Sequence, residues 1–486
     1  MTVPDDRTAV GATLRLAARL ALIRLLGGRV LPRPVRRVMH NLVRHGFDAY
    51  AVGGAVRDLL LGRPPEDWDV ATSARPVYVM SIFPRTVPTG LRHGTVRVIE
   101  RSGAEVDVTT FRIEGPYSDR RRPDHVEFTD SLETDLARRD FTVNALALDL
   151  RGNLVDPFGG VRDLARGVIR CVGLPAKRFT EDALRMMRAV RLSAELGFRL
   201  DPETARAIRR YADLLARISV ERVRDELERC LVSPLPDRAL EDLRSLGLLS
   251  HVIPELEEGV GLEQNEHHAH TVWEHTLLTV ASTPPAPHLR LAAMLHDVAK
   301  PRTLTVEDGR RHFFGHERVG AEMAGEILSR LRYDKATVSR VVHLVRHHMA
   351  LRGQPDMKDA AVRRLINRVG AENIPDLIKL RRADRRASGS AGGPADLATA
   401  ALLVRIERLL KEEKAFSLSD LAVTGRDVMR VARIGPGPQV GLILRRLLEE
   451  VLEDPSLNER SRLEERIREM VRPSLTRMPG RKPDTR

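Results

Sequence analysis

The chain has 486 residues, of which 42% are hydrophobic and 30% are charged. This length allows several domains, and this balance is typical of a globular protein, so a fibrous or largely disordered chain is excluded. The 80 basic residues exceed the 67 acidic ones by 13 charges. That excess favours a polyanionic partner such as RNA, although a general arginine bias would produce the same balance.

The cysteines and the N-terminal segment exclude two further classes. Two cysteines, Cys171 and Cys230, provide neither a disulfide framework nor a Cys-rich zinc site, and they suit a reducing cytosol. Arg15, Arg19 and Arg24 interrupt the apolar run near the N-terminus, so it is predicted to be a helical extension over residues 1–30. A signal peptide or a membrane span is not expected there. The sequence therefore predicts a cytoplasmic protein that does not enter a membrane.

Helices and strands are predicted to alternate after this extension. We expect helices over Pro32–Gly46 and Val77–Phe83, and strands over Phe47–Val52, Gly90–Glu100 and Ala104–Arg112. Charged residues on these strands supply the first candidate site.

Two carboxylates and two glycines follow the predicted strand Phe47–Val52. Asp67 and Asp69 are two apart on a further strand, predicted between Phe47–Val52 and Gly90–Glu100, so they share one face and lie roughly 7 Å apart. Such a pair is a hard oxygen site suited to Mg²⁺. Gly53 and Gly54 lack a Cβ, so a phosphate can approach the backbone and the next helix N-terminus. A metal beside a phosphate cradle indicates phosphoryl or nucleotidyl transfer.

A third acidic position lies on a later strand. Glu105 and Asp107 share a face of their predicted strand. Either carboxylate can lie beside the first pair, and the alternative is a solvated charge on an edge strand.

The stretch YAVGGAVRDLLLGRPPEDWDVAT (50–72) resembles the signature of the nucleotidyltransferase superfamily. It is most similar to class II tRNA nucleotidyltransferases, the CCA-adding enzymes, and to bacterial poly(A) polymerases. The resemblance implies a catalytic Mg²⁺ site and a phosphate-binding turn. It assigns catalysis to the carboxylates of Asp67, Asp69 and Asp107. It assigns nucleotide binding to Gly53 and Gly54 of the turn and to Arg57.

Further strings in the first 160 residues support the same resemblance. Thr110–Phe128 resembles the mobile loop that related enzymes use when they switch nucleotides, which favours addition of A. The string R-R-D-F-T-V-N-A resembles a family motif, and it implies nucleotide binding by Arg139, Asp140 and Asn144. A guanidinium can donate two hydrogen bonds to triphosphate oxygens, and a carboxylate can accept from a ribose hydroxyl. Asn144 is expected one turn further along a helix.

A helix predicted over Phe179–Phe198, with Thr180 as its cap, carries a candidate for base selection. Asp182 and Arg185 are three apart, so they would share a face of a helix. They match the E-D-x-x-R motif of class II enzymes, and the resemblance assigns Arg188 to nucleotide binding as well. Asp accepts from the amino group of cytosine or adenine, and Arg donates to the adjacent ring acceptor. An ordinary surface ion pair is the alternative.

Histidines are concentrated in the middle of the chain. His275, His296, Asp297 and Asp384 follow the order H…HD…D, which resembles the HD superfamily of metal-dependent phosphohydrolases. The resemblance implies that these four residues bind a divalent transition metal or Mg²⁺. His316 and either His347 or His348 would extend the site to a second metal. A helical scaffold with little or no turnover is the alternative.

The resemblances together predict an α+β nucleotidyltransferase head, with a small mixed sheet and helices, followed by all-helical neck, HD and tail domains. The predicted bounds are 1–30 for the extension, 31–160 for the head, 161–255 for the neck, 256–390 for the HD domain and 391–486 for an RNA-binding tail with a basic C-terminus.

The resemblance implies addition of C and A from CTP and ATP to the tRNA 3′ end. Poly(A) polymerase and an enzyme that adds only A are the alternatives within the class. A phosphohydrolase whose head only binds RNA is the alternative from another class. The oligomeric state is left open.

Overall fold

The computed structural model describes residues 6–65, 67–115, 125–264, 269–351, 357–389, 394–412 and 415–471. Contacts divide the chain into two units. The first comprises Met1–Leu262, Pro285–Leu291 and Glu326–Val338, and the second comprises Glu263–Pro284, Ala292–Gly325 and Ser339–Arg486. The finer division into five domains stays a prediction. None of the helices in the described ranges has the length and apolarity needed to cross a bilayer.

The first unit combines a mixed sheet with helices. Its helices are α1 (Asp6–Leu26), α2 (Arg33–Arg44), α3 (Gly54–Leu61), α4 (Pro76–Ile82), α5 (Leu132–Ala137), α6 (Gly160–Arg166), α7 (Pro175–Glu181), α8 (Leu184–Leu196), α9 (Pro202–Tyr211), α10 (Val220–Val232), α11 (Pro236–Ser245) and α12 (Leu249–Val252). Its strands are β1 (Ala49–Val52), β2 (Asp69–Thr72), β3 (Thr86–Gly90), β4 (Thr95–Ile99), β5 (Glu105–Thr110), β6 (Arg112–Glu114), β7 (Val126–Phe128), β8 (Ala147–Leu148), β9 (Leu154–Val155), β10 (Val168–Ile169) and β11 (Arg199–Leu200).

Seven of these strands form one sheet in the order β3-β4-β5-β2-β1-β8-β9. Strands β2 and β5 run parallel, whereas β1 pairs antiparallel with both β2 and β8. The expected small mixed sheet with helices is therefore confirmed. In β5, Val106 and Val108 are buried while Asp107 is only half-buried, because successive strand residues point to opposite faces.

A hydrophobic core supports the strand ends that carry the candidate site. It includes Val52 of β1, Ala71 of β2, Phe111 after β5 and Leu136 of α5. Each of these buried residues lies within a few positions of a residue predicted to be functional. Packing of this core therefore places residues from distant parts of the chain around one sheet edge.

The predicted strand Gly90–Glu100 is wrong in its first half. Strand β3 ends at Gly90, a 3₁₀ turn covers Leu91–His93, and β4 begins only at Thr95. Gly94 has φ of +80°, a conformation that glycine adopts without a steric penalty. The chain therefore reverses here, and β3 pairs antiparallel with β4.

The predicted helix Phe179–Phe198 is also wrong as one element. Helix α7 ends at Glu181, and Asp182 adopts an extended conformation before α8 begins at Leu184. The Asp182 carboxylate accepts a hydrogen bond of 3.1 Å from the backbone N–H of Leu184, and this local bond competes with a continuous helix. Thr180 is not a cap, since its hydroxyl donates to the carbonyls of Ala176 and Lys177 in the first turn of α7.

The second unit is helical apart from one hairpin among its described residues. Its helices are α13 (Val272–Ser282), α17 (Asp359–Val369), α18 (Ile374–Ala387), α19 (Pro394–Glu412), α20 (Gly425–Ala432), α21 (Pro438–Glu453) and α22 (Arg460–Val471), with the hairpin β12 (Thr305–Glu307) and β13 (Arg310–His312). Helices α14 (Pro287–Leu295), α15 (His316–Arg330) and α16 (Lys335–His347) contribute residues to both units. The expectation of helical domains after the head is confirmed.

Helix α13 has a well-defined start beside the histidine-rich segment. The Thr271 hydroxyl accepts from the backbone of Glu274, and the Glu274 carboxylate accepts from the backbone of Thr271. This reciprocal capping satisfies two backbone donors at the first turn. Because α13 packs along α18, His275 of α13 meets Asp384 of α18.

Candidate functional site

The carboxylates of Asp69 and Asp107 face each other across the parallel pair β2 and β5. The two residues are direct partners in the register of this pair. Partial desolvation raises the pKa of Asp69 above its usual range, although the residue is exposed at the start of β2. The guanidinium of Arg139 opposes that rise, and the carboxylates of Asp107 and Asp67 add to it. Mutual repulsion of clustered carboxylates is what a bound divalent cation relieves. These residues therefore fit a metal site.

Asp67 approaches this pair from outside the strand. Strand β2 begins only at Asp69, so the prediction that both residues lie on one strand is wrong. Asp67 lies in the preceding loop, is exposed, and is still close enough for its charge to raise the pKa of Asp69. Pro64 and Pro65 precede it, and proline is disfavoured in a paired strand.

Arg97 holds Asp107 from the neighbouring strand. Its Nε and Nη2 donate to the two carboxylate oxygens of Asp107 at 2.7 and 3.0 Å. Its Nη1 donates to Glu105 at 2.9 Å. Asp107 and Asp69 line a cleft of about 680 Å³, and Glu105 is not among its lining residues. The geometry therefore favours Asp107 over Glu105 as the third carboxylate.

Gly53 stands directly under a buried guanidinium. It has φ of +81°, and a Cβ at this position would lie 3.0 Å from Nη1 of Arg139 and 3.9 Å from Oδ2 of Asp69. Burial lowers the pKa of Arg139, and its Nε has no hydrogen-bond partner among the described residues. A buried donor of this kind is suited to a phosphate oxygen.

Replacing Gly53 by alanine is expected to lower kcat/KM for nucleotide addition by about a hundredfold, because displacing Arg139 by a fraction of an ångström misplaces the triphosphate. Steady-state kinetics with a tRNA acceptor would measure this loss. Gly103→Ala is the matched control, since Gly103 also has a positive φ of +85° but its Cβ would meet nothing within 4 Å. Equal losses in the two variants would mean that backbone strain, not the contact with Arg139, causes the effect.

A chain of hydrogen bonds connects four residues expected to bind nucleotide. Arg57 Nη1 donates to Asn144 Oδ1 at 2.7 Å, and Asn144 Nδ2 donates to Asp140 Oδ1 at 3.3 Å. Arg188 donates twice to Asp140 Oδ2, at 2.9 and 2.6 Å. Burial raises the pKa of Asp140, but the charge of Arg188 outweighs it and lowers the pKa to about 2. Asp140 is therefore ionised and positions Arg188, which lines the cleft.

One expectation about these hydrogen-bonded residues needs correction. Asn144 is not on a helix beyond Asp140; it ends a 3₁₀ turn, Thr142–Asn144, after extended Phe141. Arg57 and Asn144 are buried and are not among the residues that line the cleft, and Gly54 is the first residue of α3. Nucleotide binding by these three residues stays a prediction.

Asp182 and Arg185 both line the cleft, but each pairs with another residue. Asp182 accepts from Nη1 and Nη2 of Arg222 at 3.3 and 2.7 Å. Arg185 donates to Glu181 at 2.7 Å. The expected base-selecting pair thus faces the right cavity, with partners that hold both side chains in place.

Sequence reasoning missed several charged residues of the cleft. Arg112, Glu114 and Arg138 line it and form a network in which both guanidiniums contact Glu114. The doublet Arg138–Arg139 was the available signal, although only Arg139 was assigned a role.

A second cluster in the other unit brings together the predicted HD residues. His275 Nε2 lies 3.1 Å from Asp384 Oδ1 and 3.3 Å from His296 Nε2. His296 Nε2 lies 3.1 Å from Asp297 Oδ2. His275, His296 and Asp297 offer ligand atoms close enough to hold one metal ion. His296 and Asp297 reach this position because they follow the end of α14 at Leu295 in a turn.

His316 and His348 form the second half of this cluster. Their Nε2 atoms are 3.2 Å apart, and they lie 3.5 and 3.8 Å from Asp297 Oδ1. Asp297 thus directs one oxygen to each pair of histidines, and these three residues form a second set able to hold an ion. Of the two adjacent histidines considered, the structure places His348, not His347, in the cluster.

Backbone carbonyls fix the tautomers of three of these histidines. Nδ1 of His296, His316 and His348 lies 2.8, 2.7 and 2.6 Å from a backbone oxygen. A carbonyl can only accept, so each Nδ1 carries a proton, and in a neutral ring Nε2 then presents a lone pair. Burial lowers the pKa of His296, but the charge of Asp297 outweighs it and raises that pKa. Burial lowers the pKa of His348 to about 3, which keeps it neutral. Lone pairs that face one another about 3 Å apart fit a cation between them.

Lys300 neutralises part of this buried charge. Its Nζ lies 2.7 Å from Asp297 Oδ2 and also donates to Gln264. The ion pair is almost completely buried, so removal of either partner would leave an uncompensated charge in the interior.

The mixed sheet, the carboxylates and the arginine-lined cleft define a nucleotidyltransferase-type head, and the histidine cluster defines an HD-type metal site. A solved structure, the Bacillus stearothermophilus CCA-adding enzyme in complex with CTP, is 34% identical and has a TM-score of 0.70, covering 90% of this chain and 97% of that one. The chain belongs to the family of CCA-adding enzymes.

Family models match three parts of the chain. They are described as the poly A polymerase head domain at residues 49–170, a probable RNA and SrmB-binding site of polymerase A at 197–259, and the HD domain at 266–389. The Thermotoga maritima CCA-adding enzyme with tRNA is 21% identical, with a TM-score of 0.55 over 90% of this chain and 94% of that one. At that identity the likeness concerns the fold alone.

Curated relatives match the chain over a shorter stretch. The CCA-adding enzyme of Anoxybacillus flavithermus is 54% identical over 224 residues, 46% of this chain and 56% of the relative. That of Geobacillus stearothermophilus is 55% identical over 215 residues, 44% of this chain and 53% of the relative. The matched stretch thus spans about half the length of these relatives.

Proposed function

We propose that this chain adds C and A nucleotides from CTP and ATP to the 3′ end of tRNA without a nucleic-acid template, releasing pyrophosphate. The observation that carries the proposal is the register pair Asp69 and Asp107, which faces a cleft lined by Arg139, Arg185 and Arg188. Its volume of about 680 Å³ lies within the usual range for ligand sites.

The residues of the cleft have different roles in the proposed reaction. Asp67, Asp69 and Asp107 would hold Mg²⁺, which when bound supplies activation of the RNA 3′-hydroxyl and neutralisation of the leaving pyrophosphate. Arg139 donates to the triphosphate next to Gly53, whose missing Cβ leaves room for that contact. Arg188 donates a hydrogen bond to Asp140, and its guanidinium adds to the positively charged arginine side chains that line the cleft.

Asp182 and Arg185 select the base in this proposal. The carboxylate accepts from the amino group of cytosine or adenine, and the guanidinium donates to the neighbouring ring acceptor. Uracil would present a carbonyl to Asp182, and guanine an N–H to Arg185. The bonds to Arg222 and Glu181 keep both side chains oriented before a base arrives.

Asp182→Ala and Arg185→Ala are each expected to reduce the preference for C and A over U and G by about tenfold or more, since a mismatched buried polar group costs about 1–3 kcal/mol. The measurement is the ratio of incorporation for each nucleotide offered singly. Asp225→Ala, which removes an exposed carboxylate of α10, is the control and should keep the parental ratios. If both cleft variants stay active with unchanged ratios, the pair has only a structural role.

Transcripts of tRNA that end before CCA, after C and after CC test the proposed activity when each is incubated with single nucleotides. Full CCA addition requires C on the first two acceptors and A on the third. Incorporation of A alone on the third acceptor would indicate an enzyme that adds only A. Untemplated A tracts on any RNA, with no use of CTP, would indicate a poly(A) polymerase.

We propose a second activity, metal-dependent phosphoester hydrolysis, for the histidine cluster. The supporting observation is that Nε2 atoms converge in pairs about the two oxygens of Asp297. A divalent transition metal or Mg²⁺ bound there supplies an activated water, and His275, His296, His316, His348 and Asp384 orient it. The proposed substrates are 2′,3′-cyclic phosphates or 2′-phosphates at RNA ends. Attack of water on the cyclic phosphate would break its P–O3′ bond and leave a 2′-phosphate beside a free 3′-hydroxyl that the head can extend, and attack on a 2′-phosphate would release inorganic phosphate and leave a 2′-hydroxyl.

A further inference from the structure

A cavity of about 290 Å³ opens between α18 and α19, and none of the residues that line it is assigned above to catalysis. Four arginines of α18, namely Arg381, Arg382, Arg385 and Arg386, line one side of it. The other side is formed by α19, where Ala400 and Leu403 present apolar surface. We call this cavity the arginine pocket.

The spacing of these arginines concentrates positive charge. Arg381 and Arg385 are four apart, as are Arg382 and Arg386, so each pair projects from the same face of the helix. Like charges at this spacing repel and disfavour the helix. A cluster of this kind is favourable when an anion lies among the guanidiniums.

Carboxylates balance only part of this charge. Arg381 donates to Asp384 at 2.6 Å, and Arg382 donates to Glu407 at 3.1 Å. Among the described residues, no carboxylate lies within ion-pair distance of Arg386, which is exposed at the pocket. Arg386 therefore contributes a positive charge to the pocket that no carboxylate of the described residues balances.

One buried donor of the pocket has no partner. Arg381 is 6% exposed, and its Nε has no hydrogen-bond partner in the described part of the chain, whereas Nη1 is occupied by Asp384. An unpaired buried N–H is costly, and an anion in the pocket would satisfy it. The guanidinium of Arg381 thus lies between the pocket and a member of the histidine cluster.

We propose that the arginine pocket is a binding site for a small phosphate monoester. Guanidinium groups match phosphate because their N–H donors can bind two of its oxygens at once. The volume accommodates one phosphoryl group with a compact substituent, and that substituent packs against Ala400 and Leu403 of α19. The proposal depends on neither the nucleotide addition nor the hydrolysis proposed above.

The test is phosphate binding to the full-length protein after treatment with EDTA, so that metal-bound phosphate does not contribute. The probes are inorganic phosphate and phenyl phosphate, followed by isothermal titration calorimetry. Two variants remove the site in different ways: Arg385→Gln with Arg386→Gln removes charge, and Ala400→Phe fills the cavity without changing charge. Lys379→Gln, on the same helix but outside the pocket lining, is the matched control.

The parent and Lys379→Gln are expected to bind both probes, with phenyl phosphate tighter because of the apolar wall. Each pocket variant should weaken the affinity for phenyl phosphate at least about tenfold, as expected when charge-assisted hydrogen bonds are lost. Unchanged affinity in two folded pocket variants would overturn the proposal, because the anions would then bind elsewhere. Absence of binding of both probes to the parent, or a change confined to RNA affinity, would overturn it as well.

Discussion

Asp69→Asn is expected to reduce the rate of both C and A addition at least about a thousandfold, because loss of a metal-binding carboxylate removes several kcal/mol of transition-state stabilisation. The protein should fold normally. The pKa of Asp69 is raised by partial desolvation and by neighbouring carboxylates, so above that pKa the folded state carries an unfavourable charge that asparagine removes. Single-turnover addition to a tRNA ending in CC, together with the Tm of the metal-free protein, would measure both effects.

Strand β5 provides the control for this prediction. Asp107→Asn should reproduce the loss, since Asp107 is the register partner of Asp69 and lines the cleft. Glu105→Gln removes the other carboxylate bound to Arg97 and should leave the rate within a few fold of the parent. A large loss in Glu105→Gln with little change in Asp107→Asn would reverse the assignment. Normal addition by Asp69→Asn would eliminate the proposed metal site.

Asp297→Asn is expected to abolish metal-stimulated phosphoesterase activity and to release metal from the whole histidine cluster. Asp297 offers one oxygen to His275 and His296 and the other to His316 and His348, so neither set of ligands is complete without its charge. Metal content after dialysis and hydrolysis of a 2′,3′-cyclic nucleotide with Mg²⁺, Mn²⁺, Co²⁺ or Ni²⁺ would be measured. Nucleotide addition should stay near the parental rate, because no residue of the cluster lines the cleft.

Two adjacent histidines provide a matched pair of variants for the same cluster. His348→Ala should lower the metal content, because His348 Nε2 faces His316 Nε2 at 3.2 Å. His347→Ala should not, because His347 packs against His343 on α16. Asp297→Asn also removes the negative charge that neutralises Lys300, which destabilises the folded protein. His348→Ala keeps the ion pair between Lys300 and Asp297, so a loss of metal in that variant is not a consequence of losing this ion pair. Phosphoesterase activity that survives in Asp297→Asn, or that the parent lacks with all four metals, would contradict the proposed hydrolase.

Local patterns in the sequence and the family resemblance together indicated candidate residues of the head. Period-two alternation in β5 was sufficient to place Glu105 and Asp107 on one face, and Gly53 marked the turn that follows β1. These predictions hold because strand alternation and glycine conformation depend only on neighbouring residues. The order of His275, His296, Asp297 and Asp384 likewise predicted the members of one cluster.

Only the tertiary structure decided which of these residues meet. The resemblance already favoured Asp107, but its position opposite Asp69 rests on the parallel register of β2 and β5. The pairing of Asp182 with Arg222 rests on the packing of α8 against α10. The break at Asp182 arises from a side-chain bond to the backbone that competes with the helix. Strand register, ion pairs between helices and the position of Asp297 between two histidine pairs depend on contacts between residues far apart in the chain. Local periodicity carries no information about such contacts, so they could not be predicted from the sequence pattern alone.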